Sequence, residues 1–251
     1  MKRGMLVVAL AAALAAAAGA QVWPPRLVGS FPAPPGAVDV AYEHRALFVL
    51  VNAASPTVCE LTTSGSFLGS FSVPVPGGAR GITYDGYSWS SVFISNRING
   101  YIYKLTTAGS LTGSFPCPAG APYGLGYSDF NPRHGWGLFA ACRDAGCIAR
   151  LDATTGSLWS TFAGPAAAVV AYDDFFAAVR SSDDVHWDYN GPWQVFDSMP
   201  ANVAGLAAGV DWPTDQWISL FVLCRNDYIY HYEGYTAVAP ASLGRVKALY
   251  R

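Results

Sequence analysis

Charge is scarce in this 251-residue sequence, where only 13% of residues are Asp, Glu, Lys or Arg. Lysine is nearly missing, with three against twelve arginines, and glutamate is limited to Glu43, Glu60 and Glu233. The formal net charge is −2, so the basic face that nucleic-acid binding requires is absent and no nucleic-acid partner is expected. The familiar catalytic signatures are missing too: there is no GxSxG elbow, HExxH pair, P-loop or EF-hand spacing of acids. The four histidines, His44, His134, His186 and His231, are scattered over separate parts of the chain and read as surface or loop residues.

Long apolar runs are also missing. The one candidate, Met5 to Ala18, falls short of the roughly 20 residues that span a bilayer. With Lys2 and Arg3 before it and Ala18-Gly19-Ala20 after it, it reads as a secretory signal peptide over residues 1–20. A mature chain from Gln21 carries 13 basic and 17 acidic residues. It is expected to be secreted or periplasmic, monomeric and without a membrane span. No cysteine stands directly after the apolar stretch, so a lipid anchor is not expected.

What the sequence does have is a repeat. The segment from Leu68, LGSFSVPVPGGARGITYDGYSWSSVFISNRINGYIYKLTTAG, returns from Leu111 as LTGSFPCPAGAPYGLGYSDFNPRHGWGLFAACRDAGCIARLDATTG. Phe31, Phe71, Phe115, Phe162 and Phe196 recur at spacings of 40, 44, 47 and 34 residues. Each copy holds short alternating apolar runs separated by Gly, Pro, Ser and Asn, the pattern of a β-propeller blade. The fold expected is therefore all-β, a propeller of four-stranded antiparallel blades in a single domain over 21–251.

Within the clearest copy, Ala79–Tyr84, Ser91–Asn96, Tyr101–Leu105 and Ser110–Phe115 read as four strands. First strands recur at Val38–Tyr42, Gly124–Tyr127, Ala168–Tyr172 and Ala204–Ala208. Five units thus run over about 38–232. The segment 26–31 (RLVGSF) matches a fourth strand that has no blade of its own, and it is expected to close the last blade, because a ring joined at its termini leaves no loose edge. The tail 233–251 resembles a further fourth and first strand, so six blades with one incomplete is the alternative to five.

The stretch GITYDGYSWSSVFISNRINGYIYKLTTAGSLTGSF resembles the secreted bacterial propellers of the NHL, YncE and SMP-30/gluconolactonase type. The resemblance covers nearly the whole mature chain and rests on architectural residues. It implies a propeller, and it also raises an enzymatic alternative: lactonase-type relatives hold a divalent metal in the central tunnel with Glu, Asn and Asp. That ligand set does not match this chain residue by residue, and no metal or cofactor is expected outside the alternative.

Aligning second strands on Phe48, Phe93, Phe139, Phe176 and Phe221 puts Arg97, Arg143, Arg180 and Arg225 four residues after the phenylalanine, with Asn52 in the remaining unit. This position opens the loop between second and third strands, near the channel mouth. The four arginines, with Asn52 and Asn96, are the expected binding surface for a protein, a glycan or a small anionic ligand. The opposing reading is that each arginine seals a blade seam and pairs with a local acid such as Asp144 or Asp227. The eight tryptophans are read as packing between blades, and the pairs Asp173-Asp174 and Asp183-Asp184, with Asp188, as solvated turn residues. Five cysteines allow two disulfides and one spare thiol. Cys142 and Cys147 flank a hairpin loop and are the expected pair, while Cys59, Cys117 and Cys224 have no assigned state.

Overall fold

The computed structural model describes residues 26–43, 45–85, 91–128, 137–163, 168–172, 175–179, 185–189, 194–195, 202–210 and 217–235, with only the backbone described for those in 170–195, 209–218 and 234–235. The signal-peptide segment 1–20, the tail beyond 235, Arg180 and the pairs Asp173-Asp174 and Asp183-Asp184 lie outside the described residues.

The chain is an all-β propeller of four-stranded antiparallel blades. After β1 (Arg26–Pro32) comes a sheet of β2 (Ala37–Glu43), β3 (Ala46–Val51), β4 (Thr57–Thr62) and β5 (Phe67–Ser72). The next is β6 (Ala79–Asp85), β7 (Ser91–Asn96), β8 (Tyr101–Thr106) and β9 (Leu111–Pro116). A third holds β10 (Gly124–Ser128), β11 (Gly137–Cys142), β12 (Cys147–Leu151) and β13 (Leu158–Ala163). The fourth is β14 (Ala168–Tyr172), β15 (Phe175–Val179), β16 (Val185–Tyr189) and β17 (Gln194–Val195). In the last sheet, β18 (Val203–Val210), β19 (Trp217–Cys224) and β20 (Tyr228–Tyr235) are completed by β1, which pairs antiparallel with β20 from Arg26↔Glu233 to Pro32↔Tyr228. The first strands pack side by side around the ring, β2 on β6, β6 on β10, β10 on β14, β14 on β18 and β18 back on β2.

The core lies between blades rather than within one. Second strands are covered on both faces by neighbouring sheets, so β3, β7 and β11 are buried almost end to end and read as unbroken apolar runs. The aligned Phe48, Phe93, Phe139 and Phe221 are all buried. Phe48 packs with Ile82, Val92 and Ile94 of the following blade, and Phe93 with Leu125, Leu138 and Ala140 of the one after. Trp159, the tryptophan with a described side chain, departs from the expected blade packing: it is 37% exposed and lies beside the Arg150 guanidinium, 4.9 Å from its ring centroid. The reason is its place on β13, an outer strand with little sheet beyond it.

The two repeating sequence marks turn out to be the halves of one contact. Gly65, Gly109 and Gly156 close the turns between third and fourth strands with φ of +89°, +83° and +74°. Each lies against the recurring phenylalanine of the preceding blade: Phe31, Phe71 and Phe115 respectively. A β-carbon at Gly109 would sit 2.6 Å from the Phe71 ring. Gly109→Ala therefore meets both a left-handed backbone and a ring that must move, and it is expected to cost about 2 kcal/mol. Gly113→Ala, in a strand with nothing within 4 Å of its β-carbon, is the control and should be neutral or slightly stabilising. Chemical denaturation of the two variants checks the pair.

Candidate binding face at the channel mouth

Three first strands carry a bulge at the same place, where Val38, Arg80 and Ala204 are left without a ladder partner. A bulge re-aims the side chain it inserts, and in β6 that side chain is Arg80, whose Nη1 donates to the Val38 carbonyl of the neighbouring blade at 3.5 Å. The residues after second strands are held in matching fashion. Asn52 N donates to Gly36 O (3.1 Å), Arg97 N to Gly78 O (3.0 Å) and Arg225 N to Asn202 O (2.8 Å). The equivalence inferred from the phenylalanine alignment is thus a shared backbone bond in three blades. All three residues are exposed.

Asn96 shows how the loop is fixed. It is fully buried. Its Nδ2 donates to the carbonyls of Pro76 (2.9 Å) and Gly77 (3.2 Å), while its Oδ1 accepts from the backbone N–H of Ile98 (2.9 Å) and Asn99 (3.2 Å). Its carboxamide is therefore spent on the turn that presents Arg97, and its part at this face is positional.

Arg97 and Arg143 come from neighbouring blades and meet over one ring. The Arg97 guanidinium carbon lies 4.5 Å from the centroid of Tyr123, and that of Arg143 6.0 Å from it. Tyr123 is buried, its N–H donates to Ala141 O at 2.8 Å, and its hydroxyl donates to Asp144, with both carboxylate oxygens at 3.2 Å. Arg143 opens a short 3-10 turn, Arg143–Ala145, that follows β11. Arg80 stands among the others. Burial lowers its pKa, Asp39 opposes that effect, and the positive charges of Arg225 and Arg97 lower it further. Arg97 and Arg143 therefore meet at Tyr123, and Arg80 feels the charge of Arg97 in its own blade and of Arg225 in the last one. Among the described residues no ion pair joins any of the four to a carboxylate; Asp144 binds the tyrosine hydroxyl instead.

Below this face lies Asp39, 2% exposed on a first strand. Its Oδ1 accepts from Val40 N (2.9 Å) and its Oδ2 from Ile82 N (2.9 Å), and Leu206 N is a third donor. One carboxyl thus ties β2, β6 and β18 together. Burial pushes its pKa well above 3.8, outweighing the three N–H groups and Arg80. Gly205 is required beside it, since a β-carbon there would overlap the Asp39 carboxyl.

A second polar group lies on β19 and β20. His231 stacks on Phe221 at 4.3 Å, and its Nε2 faces both Ser219 Oγ (3.1 Å) and Glu233 Oε1 (3.8 Å). Among the described residues no three His, Cys, Asp or Glu side chains gather in a metal-binding arrangement, and no helix is long and apolar enough to cross a membrane.

The sequence matches no protein-family profile and no curated protein. Its structural likeness is to β-propellers. Glutaminyl cyclase from Myxococcus xanthus superposes with a TM-score of 0.62 at 12% identity, covering 84% of this chain and 97% of that one. A streptogramin B lyase gives a TM-score of 0.45 at 16% identity over 81% of this chain and 67% of that one. The Pan2 WD40 domain of Neurospora crassa gives 0.47 at 11% identity over 83% and 95%. At such identities the likeness speaks to the fold alone.

Of the arginines singled out from the sequence, Arg97 and Arg143 meet at Tyr123, and Arg97 and Arg225 share with Asn52 an equivalent backbone bond. It did not find Arg80, Tyr123 or Asp39. The signal for Arg80 and Asp39 was present: each is a charged residue flanked by small or apolar ones near the start of a first strand, Ala79-Arg80-Gly81 and Val38-Asp39-Val40.

Proposed function

We propose that this protein is an exported, NHL- or YncE-like propeller whose five sheets form the complete ring, and that it binds a small carboxylate-bearing ligand at the arginine-lined mouth without a cofactor and without chemical turnover. The observation that carries the reading is the meeting of Arg97 and Arg143 over Tyr123, with Arg80 and Arg225 alongside and no described carboxylate paired to any of them. Guanidinium groups held together repel one another, and a bound oxyanion relieves that repulsion through bidentate, charge-assisted hydrogen bonds. The tyrosine ring fixes the two guanidinium planes, which lowers the ordering cost of binding.

Titration calorimetry with succinate tests this. Binding should weaken as salt is raised, and the double variant Arg97→Ala/Arg143→Ala should lose more than about a hundredfold in affinity, as expected for two charge-assisted contacts. Both side chains are exposed, so the melting temperature should hold. A double variant that binds as the parent does would remove the reading. The competing reading, a metal-dependent lactonase- or lyase-type enzyme, requires a stoichiometric divalent ion and lactone turnover in the purified protein.

A further inference from the structure

Three of the five cysteines lie together at one edge of the third blade. Cys142, the last residue of β11, is directly opposite Cys147 on β12 in the ladder register. Cys117 arrives from the connection between β9 and β10, and its Sγ is 3.7 Å from the Sγ of Cys142. All three are free thiols here. Cys117 and Cys142 are buried, at 7% and 0% exposure, while Cys147 is half-buried. Cys142 therefore has two thiol neighbours, a buried one and one that solvent reaches.

We propose that Cys142 and Cys117 form the final disulfide of the oxidised protein, and that Cys147 is the relay thiol through which oxidation enters. The oxidant is a disulfide, for which oxidised glutathione serves as the probe. The Cys147 thiolate attacks it, forming a mixed disulfide and releasing one glutathione thiolate. Cys142 then attacks the Cys147 sulfur and expels the second glutathione. Last, Cys117 attacks the Cys142 sulfur, and Cys147 leaves as a thiolate. Two glutathione thiols are formed, taking the protons of Cys117 and Cys142, and the two electrons those cysteines lose reduce the oxidant.

The direction of the relay follows from access, although burial raises the pKa of the Cys147 thiol. Only Cys147 meets solvent, and in thiol exchange attack requires both thiolate and approach. The Cys142 S–H hydrogen bond lowers the Cys117 pKa, which favours Cys117 as the terminal nucleophile. The directly opposed pair 142 and 147 is held in the β11–β12 ladder, whereas Cys117 lies on the connection between β9 and β10, outside that ladder. The pairing would also brace the binding face, because Cys117 leads to Tyr123 and Cys142 precedes Arg143, but it does not depend on the proposed ligand.

Native protein is exposed to oxidised glutathione, quenched with acid, alkylated before and after reduction, and mapped by mass spectrometry. The expected product links Cys117 to Cys142 and leaves Cys147 alkylated. Cys147→Ser should form the same link at least about tenfold more slowly, since the attacking thiol that solvent reaches is gone, and Cys117→Ala should stop at the 142–147 link. A wild-type end product linking Cys142 to Cys147, or three thiols that survive the treatment, overturns the pairing. Cys147→Ser oxidising at the parent rate overturns the relay. The wild-type map alone decides the pairing, so it does not rest on any variant folding.

Discussion

Removal of residues 21–32 is expected to destabilise the protein by several kcal/mol, a large share of the 5–15 kcal/mol that holds an ordinary domain together. Strand β1 is the outer strand of the last sheet, and its partner β20 would lose its antiparallel ladder from Glu233 to Tyr228. Most side chains of β1 are exposed, and Phe31 is the half-buried exception. The loss would thus come chiefly from backbone pairing, from the newly opened edge, and from the contact of Phe31 with Gly65. At about 2–4 °C per kcal/mol for a chain of this size, the melting temperature should fall by roughly 10 °C. The bare edge should also promote self-association, as unpaired strands do. Thermal unfolding with light scattering reads both effects. An unchanged melting temperature would show that β1 is not the strand that closes the ring.

Asp39→Ala should be comparably damaging. The substitution leaves the N–H groups of Val40, Ile82 and Leu206 buried without their acceptor, each worth about 1–3 kcal/mol, so a total on the order of 4 kcal/mol is expected. The carboxyl also sets a pH dependence. Its folded pKa is raised above the unfolded value, so below the unfolded pKa both states carry the proton and no penalty arises. As pH rises between the two values the unfolded state releases its proton first, the folded state binds more protons, and stability falls. Above the folded pKa the effect levels off. The stability advantage of the parent over Asp39→Asn should therefore be largest in acid and shrink as pH rises. Denaturant unfolding at a series of pH values gives the difference. An advantage that grows with pH would mean that the three N–H donors outweigh burial and hold Asp39 ionised.

What could be read from the chain was what repeats within one blade. The phenylalanine at 31, 71 and 115 and the glycine at 65, 109 and 156 were both visible because each blade restates them, although their mutual contact crosses from one blade to the next. The arginine position was visible because every second strand ends at the same distance past its aligned phenylalanine, so a count of four from that residue always lands on the same loop. Arg80 escaped because a bulge displaces it from the two-residue alternation by which a strand side is assigned. Tyr123 escaped because it precedes a first strand in one blade only. Asn96 shares a loop with Arg97 and looked like a partner in binding, yet a buried carboxamide with four backbone neighbours serves the turn. The cysteines divide along the same line: Cys142 and Cys147 face each other across a hairpin that sequence spacing shows, while the approach of Cys117 depends on how a connection folds back over 25 residues.

The proposed function requires the arginines of several blades to form one anion site. A crystal structure of the protein soaked in succinate tests it most directly. A carboxylate of the ligand is expected within hydrogen-bonding distance of both Arg97 and Arg143, seated beside the Tyr123 ring and within reach of Arg80 or Arg225. Succinate bound elsewhere, or an empty mouth with each arginine turned to an acid of its own blade, would contradict it.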